Sequence, residues 1–290
     1  MKIAILGPVC KDYIKVDNET KAQIGSIVYY TGVALKNLGV QVTAFATFNE
    51  KDNDWIVKHF EGVQVRHISD DRTLEVQHKL SRANPDVRIN KIKVCAKGVI
   101  KPDSKLISEL DNFDVIILAP LLDTNIPFEL VEKLKHKKIV YGNFGIFTAC
   151  ENGNWVAKYP EKLIQILPYL QYVFLDVNEA VFVSDKKDIY EIASFFHKKG
   201  LKNLILTEGS KGSHVFSGEK YYKIPAFSPN KLIDPTGAGD NYVAGFIKAL
   251  DLFDDPEKQG RFAAMVATIS LEKRGTFDLA TKDVLERLKI

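Results

Sequence analysis

Residues 114–143 read DVIILAPLLDTNIPFELVEKLKHKKIVYGN. Two apolar runs of strand length, DVIILAP (114–120) and KIVYGN (138–143), bracket IPFELVEKLKHK (126–137), whose apolar residues recur at steps of three and four. Near-continuous apolar runs imply strands buried on both faces, and a helix between two such strands returns the chain to begin the second parallel to the first. The same rhythm extends outward. KIAILG (2–7), VTAFAT (42–47), YVFLD (172–176) and NLILTEG (203–209) read as further buried strands, while YYTGVALKNLG, EKLIQILPYL and DIYEIASFFHKKG read as helices. Strand alternating with helix predicts an α/β fold: a doubly wound, mostly parallel sheet flanked by helices.

Two segments break the rhythm, 13–23 and 73–98. In the second, Leu74, Val76, His78 and Leu80 alternate with polar neighbours, NPD supplies a turn, and VRINKIKV alternates again, which predicts a half-exposed hairpin. A small β-sheet lid on a single domain spanning 1–290 is the expected organisation. Its exposed edges would either pair two subunits into a homodimer or close over one site. The 40 basic and 37 acidic residues are interspersed, so no nucleic-acid partner is indicated. No apolar stretch approaches the ~18 residues of a membrane span, and the apolar start lacks the layout of a signal peptide. Cys10, Cys95 and Cys150 form neither a C-x-x-C pair nor an even set, which suggests no disulfide framework and no zinc site. A reducing, cytoplasmic setting follows as the expectation.

Function is most legible in LIDPTGAGDNYVAGFIKAL (232–250). Val243, Phe246, Ile247 and Leu250 share a helical face, so DPTGAGD sits at a helix N-terminus, where unpaired N–H groups and the helix dipole favour an anion. Gly237 and Gly239 remove the Cβ atoms that would block its approach. The N–H groups of Gly237, Ala238 and Gly239 suit a phosphoryl group in transfer, with Asp240 placed to take a proton from an incoming hydroxyl. The alternative reading is a glycine turn with Asp240 as a plain N-cap.

DPTGAGD followed by a helix resembles the C-terminal signature of the ribokinase-like (PfkB) carbohydrate kinases. That resemblance implies Asp240 as catalytic base, Gly237, Ala238 and Gly239 as anion hole, and Asp234 near the nucleotide and a monovalent cation. LILTEGSKGSHVF is similar to the family's T-x-G-x-x-G turn, which implies that Thr207, Gly209 and Gly212 lie along the ATP phosphates; read from its residues alone, SKG makes an ordinary hairpin. YVFLDVNEAVF is similar to the family's N-x-x-E-A, with Asp176 in place of the asparagine. It implies Asp176 and Glu179 near hydrated Mg²⁺, which keeps its waters. The same two residues also fit a capping box.

The resemblance is weaker in the N-terminal half. GSIVYYTGVALKNLG keeps Gly25, Leu35, Leu38 and Gly39 of the family pattern, but Ser26 replaces the second glycine, Tyr30 an asparagine and Gly32 an alanine. Asp12, after the first strand, stands where the family grips two sugar hydroxyls, a task suited to a carboxylate; otherwise it is a solvated loop residue. Asn143 sits where a strand ends toward the crevice. Arg88, in the hairpin, is placed to reach a phosphate or simply to be solvated, and His78 has no assignable partner. The expectation is an ATP-dependent phosphotransferase acting on a hydroxyl of a sugar or polyol. The alternatives are a nucleoside kinase of the same fold and a non-catalytic sugar or nucleotide sensor.

Overall fold

The computed structural model describes residues 1–16, 19–81, 84–142, 148–158 and 160–289, with the backbone alone at 16, 19, 80, 81 and 84–90. The unit expected over 114–143 is present: Val115–Leu118 runs parallel to Lys138–Gly142, joined through a helix over Phe128–Lys133. In chain order the elements begin β1 (Lys2–Pro8), β2 (Cys10–Val16), β3 (Glu19–Gly25), α1 (Ile27–Asn37), β4 (Gln41–Phe48), α2 (Asn53–Val57), β5 (Gln64–Ser69), β6 (Leu74–Ser81) and β7 (Asn84–Val94). They continue α3 (Ser104–Leu110), β8 (Val115–Leu118), α4 (Phe128–Lys133), β9 (Lys138–Gly142), β10 (Thr148–Glu151), β11 (Asn154–Ala157), α5 (Glu161–Ile166), β12 (Tyr172–Asp176), α6 (Val177–Ser184) and α7 (Ile189–Lys198). The chain closes with β13 (Asn203–Thr207), β14 (Ser213–Ser217), β15 (Lys220–Ile224), α8 (Ala238–Ala249), α9 (Pro256–Ser270) and α10 (Thr281–Leu288).

Among the described residues the main sheet has nine strands in the order β15-β14-β13-β12-β9-β8-β1-β4-β5. Its strands are parallel from β5 to β13; β14 then runs antiparallel to β13, and β15, at the edge, antiparallel to β14. Alternation along each strand feeds two separate cores. Ile3, Ile5, Val115, Ile117 and Val140 pack with α1, α8 and α9 on one face. Ala4, Leu6, Ile116, Leu118, Ile139 and Tyr141 pack with α4, α5, α6 and α7 on the other. Both faces being covered is why these strands read as unbroken apolar runs. Strand order reverses between β1, whose next neighbour in the chain lies on the β4 side, and β8, whose successors lie on the opposite side. Such a switch point opens a crevice at the carboxyl ends of the strands.

The two segments that broke the rhythm contribute to a second sheet, four-stranded, in the order β3-β2-β6-β7. It is longer than the sequence suggested, beginning at Cys10, while 95–98 falls outside it. One face is buried, carrying Cys10, Asp12, Leu74, Val76, His78 and Ile92. The opposite face is polar, with Lys93 over the Tyr13 ring. The cysteine reading needs correction: Cys95 and Cys150 come together as a disulfide pair, with Cα atoms 6.1 Å apart across 55 residues of sequence. Neither spacing nor count reveals a contact between two elements so far apart in the chain. Cys10 is the free, buried thiol. Among the described residues no helix is long and apolar enough to cross a membrane.

Candidate active site

The residues read from the sequence as acceptor-side lie where the chain passes from β1 into the small sheet and on into α1. Asp12 lies inside β2 and is only 6% exposed, so the solvated-loop reading fails. Its Oδ1 receives the Cys10 thiol at 3.2 Å and faces His78 Nε2 at 3.3 Å. Burial first, then the charge of Asp12, pushes the Cys10 thiol well up, so it stays protonated and donates. Asp12 Oδ2 lies over Gly25, where any Cβ would come within 2.1 Å of it, so glycine is required there by the carboxylate itself. Ser26 follows as the N-cap of α1, its Oγ accepting from Tyr29 N–H at 3.3 Å. Its φ of 126° belongs to glycine. The cap, worth about 1 kcal/mol, offsets part of a strain of about 1–3 kcal/mol. Asn143 lies outside the described residues, as does the side chain of Arg88.

Tyr30 connects this region to the glycine turn. Its ring packs so closely on Gly237 that a Cβ there would fall 2.5 Å from Cδ1, and its hydroxyl is 3.5 Å from Gln23 Nε2. Burial, then the charges of Asp12, Asp240 and Asp234, hold the phenol far above its ordinary range, so it remains a donor. Gly237 has φ +76° and is itself the N-cap of α8. The N-cap reading of Asp240 is thereby corrected: Asp240 is the third residue of the helix, and no side chain caps α8. Asp240 is 9% exposed, and its carbonyl accepts from Thr31 Oγ1 at 3.0 Å, which ties α8 to α1. The next residue, Asn241, donates from Nδ2 to the Gly237 carbonyl at 2.9 Å and steadies the turn. The three N–H groups read as an anion hole are not equivalent, because Ala238 N–H turns back toward the Pro235 carbonyl at 3.3 Å. Around the missing Cβ of Gly239 there is open space among the described residues, and Thr236 N–H closes on Asp234 Oδ1 at 2.9 Å.

The residues read from the sequence as donor-side stand at neighbouring strand ends. Asp176 ends β12 and is in register with Thr207, which ends β13. Gly209 opens a single helical turn over 209–211, and Gly212, with φ +95°, closes it, Glu208 N–H bonding to its carbonyl at 2.8 Å. Ser213 and Tyr242 share a hydrogen bond of 2.8 Å that fastens this turn to α8. Asp176 and Glu179 form a capping box on α6: Asp176 Oδ1 accepts from Glu179 N–H and Glu179 Oε2 from Asp176 N–H, each at 2.8 Å. Burial first, then Asp176 and Asp240, raise the Glu179 carboxyl to about 8. Among the described residues no three His, Cys, Asp or Glu side chains converge to ligate a metal directly. Asp176 and Glu179 are the carboxylates here that could order a hydrated divalent cation through its waters.

Residues 31–282 match the profile of the pfkB family carbohydrate kinases. The chain belongs to that family. A nucleoside kinase of Methanocaldococcus jannaschii is 35% identical over 159 residues, 54% of this chain and 51% of that protein. A ribokinase of Haemophilus influenzae is 34% identical over 34% of this chain and 32% of its own length. The chain thus spans about half, or less, of the curated relatives it matches. Among solved structures, the Arabidopsis thaliana ribokinase complexed with ribose and ATP superposes with TM-score 0.81 at 18% identity, covering 100% of this chain and 99% of that one. A pyrophosphate-dependent kinase of the ribokinase family superposes with TM-score 0.82 at 23% identity, over 98% and 99% of the two chains. At such identities the pfkB likeness of the structures speaks for the fold, which is ribokinase-like. Sequence reading gave no place in the candidate site to Thr31, Asn241 and Tyr242, and it named Cys10 and His78 without assigning either a partner. Only Asn241, adjoining DPTGAGD, carried a local signal.

Proposed function

We propose that this chain transfers the γ-phosphoryl group of ATP to a hydroxyl of a small sugar, polyol or nucleoside. One observation carries the reading. The first turn of α8, which carries the buried Asp240, packs at Gly237 on Tyr30 and is bonded through the Asp240 carbonyl to Thr31 of α1, the helix that begins beside Gly25 and Asp12, while Tyr242 of the same helix is bonded to Ser213 beside the 209–212 turn. One helix start therefore joins the residues read as acceptor-side to those read as donor-side.

In the reaction, Asp12 accepts an acceptor hydroxyl and orients the molecule. Asp240 takes the proton of the attacking hydroxyl as its oxygen bonds to the γ-phosphorus, and ADP departs with the electrons of the broken P–O bond. The first turn of α8, chiefly the Gly237 and Gly239 amides, stabilises the charge on the transferring group. Thr207, Gly209, Gly212 and Asp234 border the nucleotide. Asp176 and Glu179 would hold hydrated Mg²⁺, which supplies neutralisation of the polyphosphate charge when bound. The nucleoside-kinase relative, at 35% identity, makes nucleosides the first acceptors to try.

The test is ATP turnover by purified protein offered nucleosides, pentoses, hexoses and polyols, with ADP and phosphorylated product both measured. Acceptor-dependent ADP release in equal amount to product is expected. Tight acceptor or nucleotide binding with no turnover across the panel would instead mark a sensor.

A further inference from the structure

Thr31 lies inside α1 and is fully buried. A β-branched residue loses rotamer freedom in a helix, and a hydroxyl taken out of water costs free energy unless it is bonded. A threonine within a helix often satisfies itself on the carbonyl one turn back. Thr31 Oγ1 instead donates to another element, bonding the backbone carbonyl of Asp240 at 3.0 Å, 209 residues away in the chain. Its neighbour Tyr30 packs its ring on Gly237, the N-cap of α8. Two adjacent residues of α1 thus meet one helix start, Tyr30 at the cap and Thr31 at the residue read as the base. That start needs outside support. Among the described residues no side chain caps α8, and intrahelical bonding is incomplete at a helix N-terminus. Asn241 Nδ2 steadies the Gly237 carbonyl from within the helix, whereas Thr31 holds the backbone of Asp240 from outside it. A general base must stand about 3 Å from the oxygen whose proton it takes, so small shifts of the backbone that carries it are felt in the rate.

We infer that Thr31 is a positioning residue for the base: its buried hydroxyl fixes the backbone of Asp240, and so the origin of its carboxylate, relative to α1. This rests on the kinase reading above. It assigns Thr31 no contact with acceptor or nucleotide, so loss of the hydroxyl acts on the chemical step and not on binding. Because α1 begins just after Gly25, which lies under Asp12 Oδ2, the same bond sets the base against the carboxylate read as gripping the acceptor.

The experiment compares wild type, Thr31→Val and Thr31→Ser with the acceptor found in the panel, using single-turnover rates so that product release does not mask the chemical step. Valine keeps the branched shape and removes the donor, while serine keeps the hydroxyl and removes a methyl group. For Thr31→Val the rate falls about tenfold, short of the roughly 10²-fold that a misplacement of about 1 Å costs. KM for acceptor and for ATP change less than about twofold. Thr31→Ser recovers most of the rate, although its lost methyl group lowers the melting temperature. A role confined to packing would give the opposite order, with serine the poorer enzyme. A valine variant within about twofold of the wild-type rate, or a serine variant no faster than valine, overturns the inference. A second readout needs no turnover: amide hydrogen exchange over 238–244 speeds several-fold in Thr31→Val and stays near wild type in Thr31→Ser. Equal exchange in the two variants also overturns the inference. If wild type turns over nothing in the panel, the kinase reading falls and this inference with it, whereas an active wild type with an indifferent valine variant overturns the inference alone.

Discussion

Asp240 sits at the third position of a helix whose first turn presents backbone N–H groups, and its own amide carbonyl is held by Thr31. Because Gly237 is the cap, the helix start does not require a carboxylate at 240. Asp240→Asn should therefore give a folded protein with ordinary nucleotide affinity and kcat lowered roughly 10²- to 10⁴-fold, about 3–5 kcal/mol of barrier. Steady-state kinetics with nucleotide binding measured in parallel checks this, and a mutant keeping more than about a tenth of kcat would remove Asp240 as the base. Glu179 supports a pH prediction. Its folded carboxyl titrates at about 8 against 4.5 for the ordinary group, mainly through burial. The folded state thus binds the extra proton, so this contribution to stability is full below about 4.5 and is lost as pH rises through 8. Melting temperatures of the ligand-free protein should fall over that window, and Glu179→Gln should flatten the fall. An identical profile in the two proteins would show that Glu179 does not titrate there.

At the scale of elements, the position of α8 depends on close approach to α9. A Cβ on Gly245 would lie 2.9 Å from Ala263 Cα and 3.0 Å from Val266 Cβ. In Gly245→Ala, helix propensity gains about 1 kcal/mol, and overpacking costs about 1–3 kcal/mol. The nearest clash is with backbone, which cannot rotate away, so the cost lies in the upper part of that range. Net destabilisation of about 1 kcal/mol is expected, together with reduced kcat as Asp240 moves with α8. Chemical denaturation and kinetics on the same preparation test it, and a stabilised, fully active variant would contradict the packing argument. Element type was legible wherever burial imposed a period. The main-sheet strands stood out because both faces are covered, and α1, α7 and α8 because one stripe is buried. Elements lacking so clean a signature, such as β5 at the sheet edge and the short α3, were missed, as were the long α9 and the C-terminal α10.

At the scale of the whole molecule, the two sheets are joined through Asp52. Its Oδ1 receives Lys11 of β2 at 2.5 Å and its Oδ2 the Thr73 hydroxyl at 2.6 Å, immediately before β6. Burial works upward on the Asp52 carboxyl, but the bonds from Lys11 and Thr73 carry the net shift down. With the folded value depressed, the contribution is present above the ordinary value of 3.8 and disappears as pH falls through the lower, folded one. Asp52→Asn should speed hydrogen exchange several-fold in β2 and β6, the modest effect of a partly exposed ion pair, while β1, β8 and β9 keep their protection. Uniform acceleration, or none, would separate Asp52 from the junction of the sheets. By itself the sequence determined the α/β class, the mostly parallel sheet and the glycine turn that opens a helix over 234–240, because these are written in local periods and in glycines that one short loop requires. Only the tertiary structure decided that Asp12 is buried with the Cys10 thiol and the His78 imidazole beside its Oδ1, that Tyr30 lies on Gly237, that Asp176 and Glu179 cap a helix, and that Cys95 meets Cys150. Those relations join residues on different elements, and nothing in the spacing of a chain encodes which side chains meet once sheets and helices have packed.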